Sequence, residues 1–465
     1  MTEVLKTLDD YKIVYCAPTG KACRRLAEVV KGTVRTIHSE FMVFGSGDSY
    51  LLPVKSRTNF GDKKIYILDE MAMCSSSLLF EVCRNISPDD MIYFLGDIKQ
   101  LPPIGKGNPF ALLMKILPCV ELGVSKRAAE GSLVNYNVTL INHMSDGYMR
   151  DLLYDDKTFI CRECDDANIP LMVTSCWKQF MDGSINGTKY SEDDIQVISP
   201  YQKDTYSFSS VRLNPQIQSL LRRNDKLLFS NGERQFYAKE RVIHTKRNDY
   251  SMNRYIFENN TFIGVATFGV VNGEMGKLVG VIKTSMANIH PFEYKMARSG
   301  EGVYINLDDE QLQQLLDKRE EKEDSLRKDE NFEGDGLYFV IVSVYDVELE
   351  RNVYILYRAS SARKSSIDSE GLPLEGSDLG NIDYAYALTT HKMQGSQSPV
   401  VILPFGSKCN PMFVNRNMLN TMITRSQGIV CCVGTVKGAD SPINKGRRYV
   451  SAVKCNDALT VLVDG

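Results

Sequence analysis

Two adjacent carboxylic acids, Asp69 and Glu70, come directly after the apolar run Ile65 to Leu68. The run is short and apolar, which predicts a buried strand that delivers both acids into a crevice at its end. In that position one carboxylate can hold a magnesium ion, directly or through water, and the next can orient an attacking water molecule. A plain surface turn can carry the same residues, so the pair indicates this chemistry without deciding it.

A second polar cluster, LGDIKQLPPIG, runs from Leu95 to Gly105. Its prolines and glycines cannot continue a strand or a helix, so the string predicts a rigid turn. Because this turn follows another apolar run, Met91 to Leu95, it brings Gln100 alongside the acids. The amide of Gln100 is suited to sensing a γ-phosphate, and a simple proline-rich connector does not account for the whole string.

The elements that position these residues alternate between short apolar strands and helical patterns. Strands separated by helices imply a parallel α/β sheet, with ligands at the carboxyl ends of the strands. The chain becomes β-rich from about Glu240 to Arg358, apart from a charged stretch, Asp308 to Glu333, that we interpret as a solvated helix or loop. The strands predicted elsewhere are Lys12 to Cys16, Lys64 to Leu68, Met91 to Leu95, Ile195 to Ser199, Tyr384 to Leu388, Val400 to Leu403 and Ile429 to Val433; Leu213 to Leu221 is predicted to be helical.

The composition is that of an intracellular globular protein. At 465 residues the chain predicts two to four domains, and its net charge of −3 neither indicates nor excludes binding to nucleic acid, since basic residues can line one track. The 12 cysteines are scattered, as in a reducing compartment. Cys161 and Cys164 form a C-x-x-C without the second pair of a zinc site, which favours two ordinary cysteines over the alternative of a structural metal. With no secretory signal and no membrane-spanning apolar run, we expect a location in the cytoplasm or nucleus.

Together the two clusters resemble motifs II and III of superfamily-1 helicases, specifically the RecD-like branch, whose patterns are close to LDEaSM and GDxxQLPPVGxG. Other strings resemble further motifs of this family in the family's order, across nearly the whole chain except 136–190 and 280–380. They are APTGKACRRL from Ala17 (motif Ia), Thr36-Ile37-His38, Lys126-Arg127 (motif IV region), Ile198-Ser199-Pro200, Asn272 to Gly276 (the turn of an inserted barrel), Tyr386 to Pro404 (motif V) and Leu419 to Gly434 (motif VI).

The resemblance implies an α/β fold with two RecA-like parallel-sheet motor domains and an inserted SH3-like β-barrel. The first motor domain, 1–135, is expected to be truncated at its N-terminus. Residues 136–239 form a linker and the first part of the second motor domain. The barrel and the charged stretch occupy 240–380, and 381–465 completes the second motor domain.

The resemblance also assigns roles by position, with ATP and Mg²⁺ as cofactors. Asp69 binds the magnesium ion, Glu70 is the catalytic carboxylate and Gln100 couples the nucleotide to DNA. Arg127 and Arg425 are arginine fingers, each worth on the order of a thousandfold in turnover. Gly395 and Gln397 complete the nucleotide site, where Gln397 replaces the usual glutamate. The DNA contacts implied for the two domains are Pro18, Thr19, Thr36, His38, Thr390, His391 and Gln394.

The sequence departs from this family at the P-loop. Gly20-Lys21 fails the pattern GxxxxGK[ST], because Ala22 follows and Tyr15 occupies the place of the first glycine, so Lys21 is not the nucleotide lysine. Since Met1 to Leu8 resembles the helix that follows the P-loop, we expect the chain to begin about one turn beyond it. Either it is part of a longer or split helicase, with a P-loop on an N-terminal polypeptide, or the loop is lost. In isolation we expect poor stability and little or no ATPase activity.

The leading functional prediction is an ATP-dependent DNA helicase or translocase that acts on single-stranded DNA and unwinds duplex at junctions. By family its polarity is 5′ to 3′ and its role is in replication, repair or recombination. The first alternative is a hydrolysis-deficient fragment or subunit that binds single-stranded DNA. A terminase-like packaging ATPase would need an acidic nuclease cluster and would leave motifs V and VI unexplained. An RNA helicase remains an open alternative.

Overall fold

The structure is a computed structural model. It describes residues 10–41, 44–46, 49–51, 63–122, 128, 131–143, 152–225, 227–231, 234–245, 252–258, 261–268, 272–284, 294–296, 303–305, 337–346, 351–360, 380, 382–410, 412–436 and 441. The chain divides into two compact units, one of Met1–Gln216 with Ala387–Gly465, and one of Ile217–Tyr386.

The first unit begins with a four-stranded parallel sheet. Its strand order is β2-β1-β5-β6, and β3 and β4 form a separate antiparallel pair. The strands are β1 (Tyr11–Ala17), β2 (Val34–Thr36), β3 (Phe44–Ser46), β4 (Ser49–Leu51), β5 (Lys63–Leu68) and β6 (Met91–Phe94). The helices that connect or flank them are α1 (Gly20–Val30), α2 (Ile37–Glu40), α3 (Ser76–Arg84) and α4 (Pro109–Ile116).

Strand β5 lies in the middle of this sheet because it is apolar on both faces. Tyr66 and Leu68 are buried in one core, whereas Ile65 and Ile67 are buried in a second cluster on the other side. Burial on both faces is what a parallel sheet requires, since helices cover each side. The strand therefore holds the acids that follow it in a fixed place at its carboxyl end.

The middle of the chain supplies α5 (Leu133–His143), β7 (Phe159–Glu163), α6 (Ile169–Asp182), β8 (Ile195–Ser199) and α7 (Ser210–Leu221). The second unit contributes mainly strands: β9 (Leu227–Asn231), β10 (Arg234–Tyr237), β11 (Arg241–His244), β12 (Met252–Glu258), β13 (Thr261–Phe268), β14 (Met275–Thr284), β15 (Tyr294–Met296), β16 (Val303–Ile305), β17 (Leu337–Asp346), β18 (Arg351–Ser360) and β19 (Ile382–Tyr384). Seven of them form an antiparallel sheet in the order β15-β16-β18-β17-β14-β11-β19.

A second parallel sheet belongs to the first unit. It has five parallel strands in the order β20-β8-β21-β22-β7. All five residues of β8 are buried, and so are most residues of its neighbour β21. The remaining elements are β20 (Ala387–Thr389), α8 (Thr390–Met393), β21 (Ser398–Phe405), α9 (Arg416–Ile423) and β22 (Ser426–Gly434).

The structure confirms the predicted α/β class with parallel sheets, and most predicted strands are found within one to three residues of their expected ends. One prediction is wrong: the run Tyr384 to Leu388 is not one strand. It divides at Ala385-Tyr386, so that β19 pairs with β11 and β20 pairs with β8. All of these residues are buried, and an apolar pattern cannot show that the chain passes from one sheet to another.

The SH3-like form of the β-rich unit, the domain boundaries and the N-terminal truncation stay predictions. The charged stretch Asp308 to Glu333 lies outside the described residues. In the described part of the chain, no helix is both long and apolar enough to cross a membrane.

Candidate active site

The predicted acids lie at the carboxyl end of β5, between the ends of its two neighbours. The backbone N–H of Asp69 donates to the carbonyl oxygen of Cys16 at 2.9 Å, and Met71 donates to Leu95 at 2.9 Å. Oδ1 of Asp69 accepts the N–H of Glu70 at 2.8 Å. Glu70 has φ 53° and ψ 38°, a left-handed conformation that is uncommon for glutamate. The acids are therefore held in a strained turn, and backbone strain of this kind is concentrated at functional sites.

The turn after β6 fixes the side chain of Gln100, which is buried. Nε2 of Gln100 donates to Oδ2 of Asp97 at 3.3 Å, and its Oε1 accepts from Nη2 of Arg425 at 3.3 Å. A carboxylate on one side and a guanidinium on the other allow only one orientation of the amide. Asp97 also accepts the N–H of Lys99 at 2.9 Å, which closes the turn.

Arg425 is fully buried at the start of β22. Its Nε donates to the carbonyl oxygen of Thr421 at 3.1 Å, and its Nη1 donates to that of Ser396 at 3.5 Å. The side chain therefore joins α9, the segment before β21 and, through Gln100, the first parallel sheet. The structure thus brings together Gln100 and Arg425, two of the predicted catalytic residues.

Helix α9 holds the Gln100 turn by its side chains. Oγ1 of Thr421 accepts the N–H of Leu101 at 2.9 Å. Nδ2 of Asn417 donates to the carbonyl oxygens of Ile98 (3.1 Å) and Gln100 (3.0 Å). A second amide in the helix, Nδ2 of Asn420, donates to the carbonyl oxygen of Lys99 at 3.0 Å. We name Asn417, Asn420 and Thr421 the α9 clamp.

The α9 clamp was missed by the sequence reasoning as a functional element. The sequence pattern that could have indicated the clamp is the presence of three polar residues, Asn417, Asn420 and Thr421, within five positions of a helix whose other residues are largely buried. Polar groups on a buried helix face require partners, and these partners are the backbone groups of the turn.

Lys21 reaches from the first turn of α1 to α8, where its Nζ donates to the carbonyl oxygen of Lys392 at 3.2 Å. Burial and, to a lesser degree, the positive charge of Arg425 lower the pKa of Lys21 to about 8. Two enclosed cations repel each other, and an anion close to both would relieve that repulsion. The sequence pattern excluded Lys21 as a P-loop lysine but did not indicate this position near Arg425.

The four residues predicted to contact DNA in the first domain lie at the carboxyl edge of the first sheet. Because Ala17 pairs with Thr36, the ends of β1 and β2 are neighbours, and Pro18 follows directly. Oγ1 of Thr19 caps α1 by accepting the N–H of Ala22 at 3.2 Å, and Oγ1 of Thr36 caps α2 by accepting that of Ser39 at 3.1 Å. His38 lies within α2 and is half-buried. The acids after β5 follow on the other side of β1.

The predicted DNA-linking residues of the second domain lie on and after α8. Thr390 is fully buried, and its hydroxyl has no hydrogen-bond partner among the described residues. Burial lowers the pKa of His391. Gln394 ends the helix, with its N–H directed to the carbonyl oxygen of His391 at 3.3 Å. Because a buried hydroxyl without a partner is costly, Thr390 is suited to a polar ligand or a water molecule.

Of the other three predicted nucleotide residues, the structure describes Gly395 and Gln397. Gly395 has φ 76°, and a Cβ built on it would lie 3.6 Å from Cγ of Lys21, so this glycine is next to that lysine. Gln397 is half-buried in the segment before β21. Arg127 lies outside the described residues. The structure therefore places every described nucleotide candidate at the carboxyl edge of the first sheet or in the segments that approach it.

Cys161 lies in the middle of β7, and Cys164 follows its last residue. Sγ of Cys161 donates to Oε1 of Glu163 at 3.5 Å, and burial raises the pKa of Cys164. Within the described ranges, no group of three or more His, Cys, Asp or Glu residues is arranged to hold a metal ion.

Comparison with known proteins gives matches at both ends of the chain. Residues 1–155 match the AAA domain family, and residues 384–431 match the UvrD-like helicase C-terminal domain. The ATP-dependent RecD2 DNA helicase of Deinococcus radiodurans is 33% identical over 123 residues, which is 26% of this chain and 16% of the relative. An uncharacterized protein of Methanocaldococcus jannaschii is 33% identical over 128 residues, or 23% of this chain and 11% of the relative. This chain thus spans less than a fifth of either relative.

Among solved structures, the Pif1 helicase from Bacteroides in complex with ADP-AlF3 and single-stranded DNA aligns with 97% of this chain and 88% of its own. The identity is 13% and the TM-score is 0.45, a likeness too weak to carry an argument about the fold.

The family matches cover several of the regions in which the motifs were found, whereas the strings at Ile198-Ser199-Pro200 and Asn272 to Gly276 lie outside them. The strings that resemble motifs Ia, II and III lie within residues 1–155, and those that resemble motifs V and VI begin within residues 384–431. The chain is therefore similar to superfamily-1 helicases in these two regions, and the relative with a printed helicase name is of the RecD type.

Proposed function

We propose that this chain is the motor part of an ATP-dependent DNA helicase that moves along single-stranded DNA and opens duplex junctions. The observation that carries the proposal is the hydrogen-bonded series from Asp97 through Gln100 to Arg425. It joins the acid-bearing edge of one parallel sheet to a buried cation of the other. A motor of this kind needs such a connection, because ATP turnover in one place must move DNA-binding segments in another.

The chemical roles follow from the groups in place. Asp69 and Glu70 supply carboxylates for a hydrated magnesium ion and for orienting water, and Arg425 supplies a positive charge from the opposite sheet. Mg²⁺, when bound, neutralises charge on the phosphates. Lys21 and Arg425 give the site a positive character that fits phosphates, and the buried hydroxyl of Thr390 fits a polar ligand. The residues present therefore fit a magnesium–nucleotide ligand.

Gln100 is suited to the coupling role because both ends of its amide are used. A ligand that attracts the guanidinium of Arg425 would compete with Oε1 of Gln100 for its hydrogen bond. Loss of that bond would release one of the contacts that fix Gln100 and the turn closed by Asp97. Through Lys21 and Lys392, the same region is connected to α8, which carries Thr390 and His391. A change at the nucleotide can thus reach the segments assigned to DNA.

DNA binding is expected to be independent of sequence, because a translocating motor must hold phosphates and stack on bases without reading them. We assign the contacts to Pro18, Thr19, Thr36 and His38 in one sheet and to the segment from Thr390 to Gln394 in the other. The β-rich unit, proposed to be SH3-like, would help to hold or split the duplex. We further propose 5′ to 3′ movement and a role in replication, repair or recombination.

The second candidate is a protein that binds single-stranded DNA without hydrolysing ATP. A specific observation favours it for this chain alone. The sequence contains Gly20-Lys21, Gly105-Lys106 and Gly276-Lys277, and none of these pairs is followed by Ser or Thr. The hydroxyl of a P-loop is therefore not supplied by these residues. The helicase proposal accordingly includes a P-loop contributed by another polypeptide segment.

The experiment compares binding of a labelled single-stranded oligonucleotide with ATP hydrolysis, each measured with and without the other ligand. Under the helicase proposal, the affinity for DNA depends on the nucleotide present, and hydrolysis requires or is greatly raised by a P-loop polypeptide. Hydrolysis should then fall on the order of a thousandfold in Arg425→Ala. Binding to DNA without any hydrolysis, even with that polypeptide, would support the second candidate.

The matched control is Arg84→Ala, which removes a guanidinium from the exposed surface of α3, where it pairs with Glu81. This variant should hydrolyse ATP as the wild type does. No binding to single-stranded DNA under any nucleotide condition would exclude both candidates. An RNA oligonucleotide of the same sequence, bound with tighter affinity and a stronger effect on hydrolysis, would redirect the proposal to RNA.

A further inference from the structure

A column of three aromatic rings lies at the carboxyl edge of the second parallel sheet. Tyr201 stacks on Tyr206 with ring centroids 4.0 Å apart and planes 18° apart, and it stacks on Phe413 at 5.1 Å and 26°. Tyr206 and Phe413 make no ring contact with each other in the described structure, so they lie on opposite faces of Tyr201. Phe413 is therefore one end of the column and its more exposed one, because 41% of Phe413 is exposed and Tyr206 is half-buried. We name these three residues the aromatic column.

The column is held rigidly by two loops. In the loop after β8, Oγ of Ser199 donates to the carbonyl oxygens of Tyr201 (3.0 Å) and Phe208 (2.8 Å). In the loop after β21, the N–H of Asn410 donates to the phenol oxygen of Tyr201 at 2.9 Å. Burial is the main cause that raises the pKa of Tyr201 to about 12. A ring that is anchored before any ligand arrives loses little conformational freedom when the ligand binds.

The exposed charge of these loops is positive. Lys203 and Lys408 are both exposed and form no ion pair or hydrogen bond with any described residue. Of the acids that face the same loops, Asp204 pairs with Arg212, whereas Asp166 accepts from the N–H and the hydroxyl of Ser407 at 2.7 and 2.9 Å and keeps its negative charge. The surface therefore combines an exposed aromatic face with two exposed lysines that form no ion pair with a described residue, a combination suited to single-stranded nucleic acid.

The position of the column agrees with this ligand. Thr389 pairs with Ser199, so the end of β20, from which α8 begins, is next to the end of β8, from which the loop to Tyr201 begins. The segment assigned above to DNA thus starts beside the column, at the same edge of the same sheet.

We propose that Phe413 is a stacking site for an unpaired base of single-stranded DNA, with Tyr201 and Tyr206 as its support. This inference rests on the proposed function, because it assumes that the chain binds single-stranded DNA. It goes beyond that function by naming a base-stacking site outside the segments assigned above. Met412, which is 72% exposed, extends the apolar surface beside Phe413.

The test uses two labelled oligonucleotides of about 12 nucleotides, one of thymidines and one with the same backbone but no bases. The wild type should bind the thymidine oligonucleotide about tenfold more tightly than the abasic one, as expected for one or two stacked bases. Phe413→Leu should remove most of this difference and leave the affinity for the abasic oligonucleotide unchanged. Phe413→Tyr should keep the difference.

The matched control is Phe80→Leu, the same substitution at a phenylalanine of α3 that is 61% exposed. It should leave both affinities unchanged. If the wild type binds both oligonucleotides equally, or if Phe413→Leu weakens both to the same degree, the stacking site is wrong while the proposed function stands. If the wild type binds neither oligonucleotide, both proposals fail.

A second measurement reports stacking on the base directly. An oligonucleotide that carries the fluorescent base 2-aminopurine should change its emission on binding, because stacking on an aromatic ring alters the fluorescence of that base. The change should be absent in Phe413→Leu and present in Phe80→Leu. An unchanged emission in the wild type at every position of the fluorescent base would overturn the inference.

Discussion

Oγ1 of Thr421 accepts the backbone N–H of Leu101 at 2.9 Å, and both residues are buried. Replacing Thr421 by valine keeps the shape of the side chain but leaves this N–H without its acceptor. A buried donor that loses its partner costs about 1 to 3 kcal/mol. We therefore expect Thr421→Val to lower the free energy of unfolding by that amount, measured by denaturant titration, and to weaken the attachment of the Gln100 turn.

A suitable control is Thr139→Val in α5. Thr139 is exposed, and its hydroxyl donates to the carbonyl oxygen of Asn135 in the same helix at 2.9 Å. The substitution should change the free energy of unfolding by less than about 0.5 kcal/mol, as is usual for surface positions. Equal effects of the two substitutions would show that the contact with Leu101 has no special contribution.

The pKa of Lys21 gives a pH-dependent prediction. Burial lowers this pKa from 10.5 to about 8, so the folded protein releases the proton at a lower pH than the unfolded chain does. Below pH 8 both states are protonated and the cost of the enclosed charge is present in full. Between pH 8 and 10.5 the unfolded chain holds more protons, so the contribution of Lys21 to stability rises with pH.

The measurement is the free energy of unfolding of the wild type minus that of Lys21→Met, followed through this window. Other titrating groups contribute equally to both proteins and cancel. The difference should move in favour of the wild type as pH increases, with a slope of at most about 1.4 kcal/mol per pH unit. A difference that stays constant through the window would contradict the lowered pKa.

Gly406 makes room for the aromatic residues at the carboxyl edge of the second sheet. A Cβ at this position would lie 2.2 Å from Cε1 of Phe208, which is buried. Gly406→Ala therefore forces Phe208 to move, at a cost of about 1 to 3 kcal/mol. Since Phe208 also contacts Tyr201 and Tyr206, the substitution should reduce the preference for thymidine over abasic oligonucleotides as well.

Gly428→Ala is the matched control, because it is the same substitution in the neighbouring strand β22. There the nearest atom to a Cβ is the carbonyl oxygen of Pro399 at 3.7 Å, an ordinary contact. We expect little change in thermal stability and none in DNA binding. If Gly406→Ala melts at the wild-type temperature, the close approach of Phe208 does not constrain this position.

The sequence was sufficient to predict the parts of the site that depend on local pattern. The acids Asp69 and Glu70 were expected at the end of a buried strand, and they lie there because β5 is apolar on both faces. The turn with Gln100 was expected beside them, since its prolines and glycines permit neither helix nor strand. In each case a few neighbouring residues determine the structure.

Contacts between distant parts of the chain were beyond such reasoning. Leu101 and Thr421 are 320 positions apart, and no period or local composition relates them. The same holds for Lys21 and Lys392, which are 371 positions apart. The run Tyr384 to Leu388 was wrongly predicted to be one strand for a related reason: an apolar pattern reports burial and does not report which sheet buries each residue.

Glu70 provides a prediction about strain. Its φ of 53° and ψ of 38° belong to the left-handed region, which costs about 1 to 2 kcal/mol for residues with a Cβ and little for glycine. The comparison that isolates this cost is Glu70→Gly against Glu70→Gln, because both variants lose the carboxylate and only the first loses the strain. Glu70→Gly should be more stable than Glu70→Gln by about 1 kcal/mol in denaturant unfolding.

Relief of the backbone strain in Glu70→Gly should not restore ATP hydrolysis. Both variants lack the group proposed to orient water, so each should hydrolyse ATP far more slowly than the wild type under conditions in which the wild type is active. Their affinity for single-stranded DNA without nucleotide should be unchanged, because Glu70 is assigned no DNA contact. If Glu70→Gly is less stable than Glu70→Gln, the turn holds Glu70 without strain. The left-handed conformation of Glu70 would then be no evidence for a functional role of this residue.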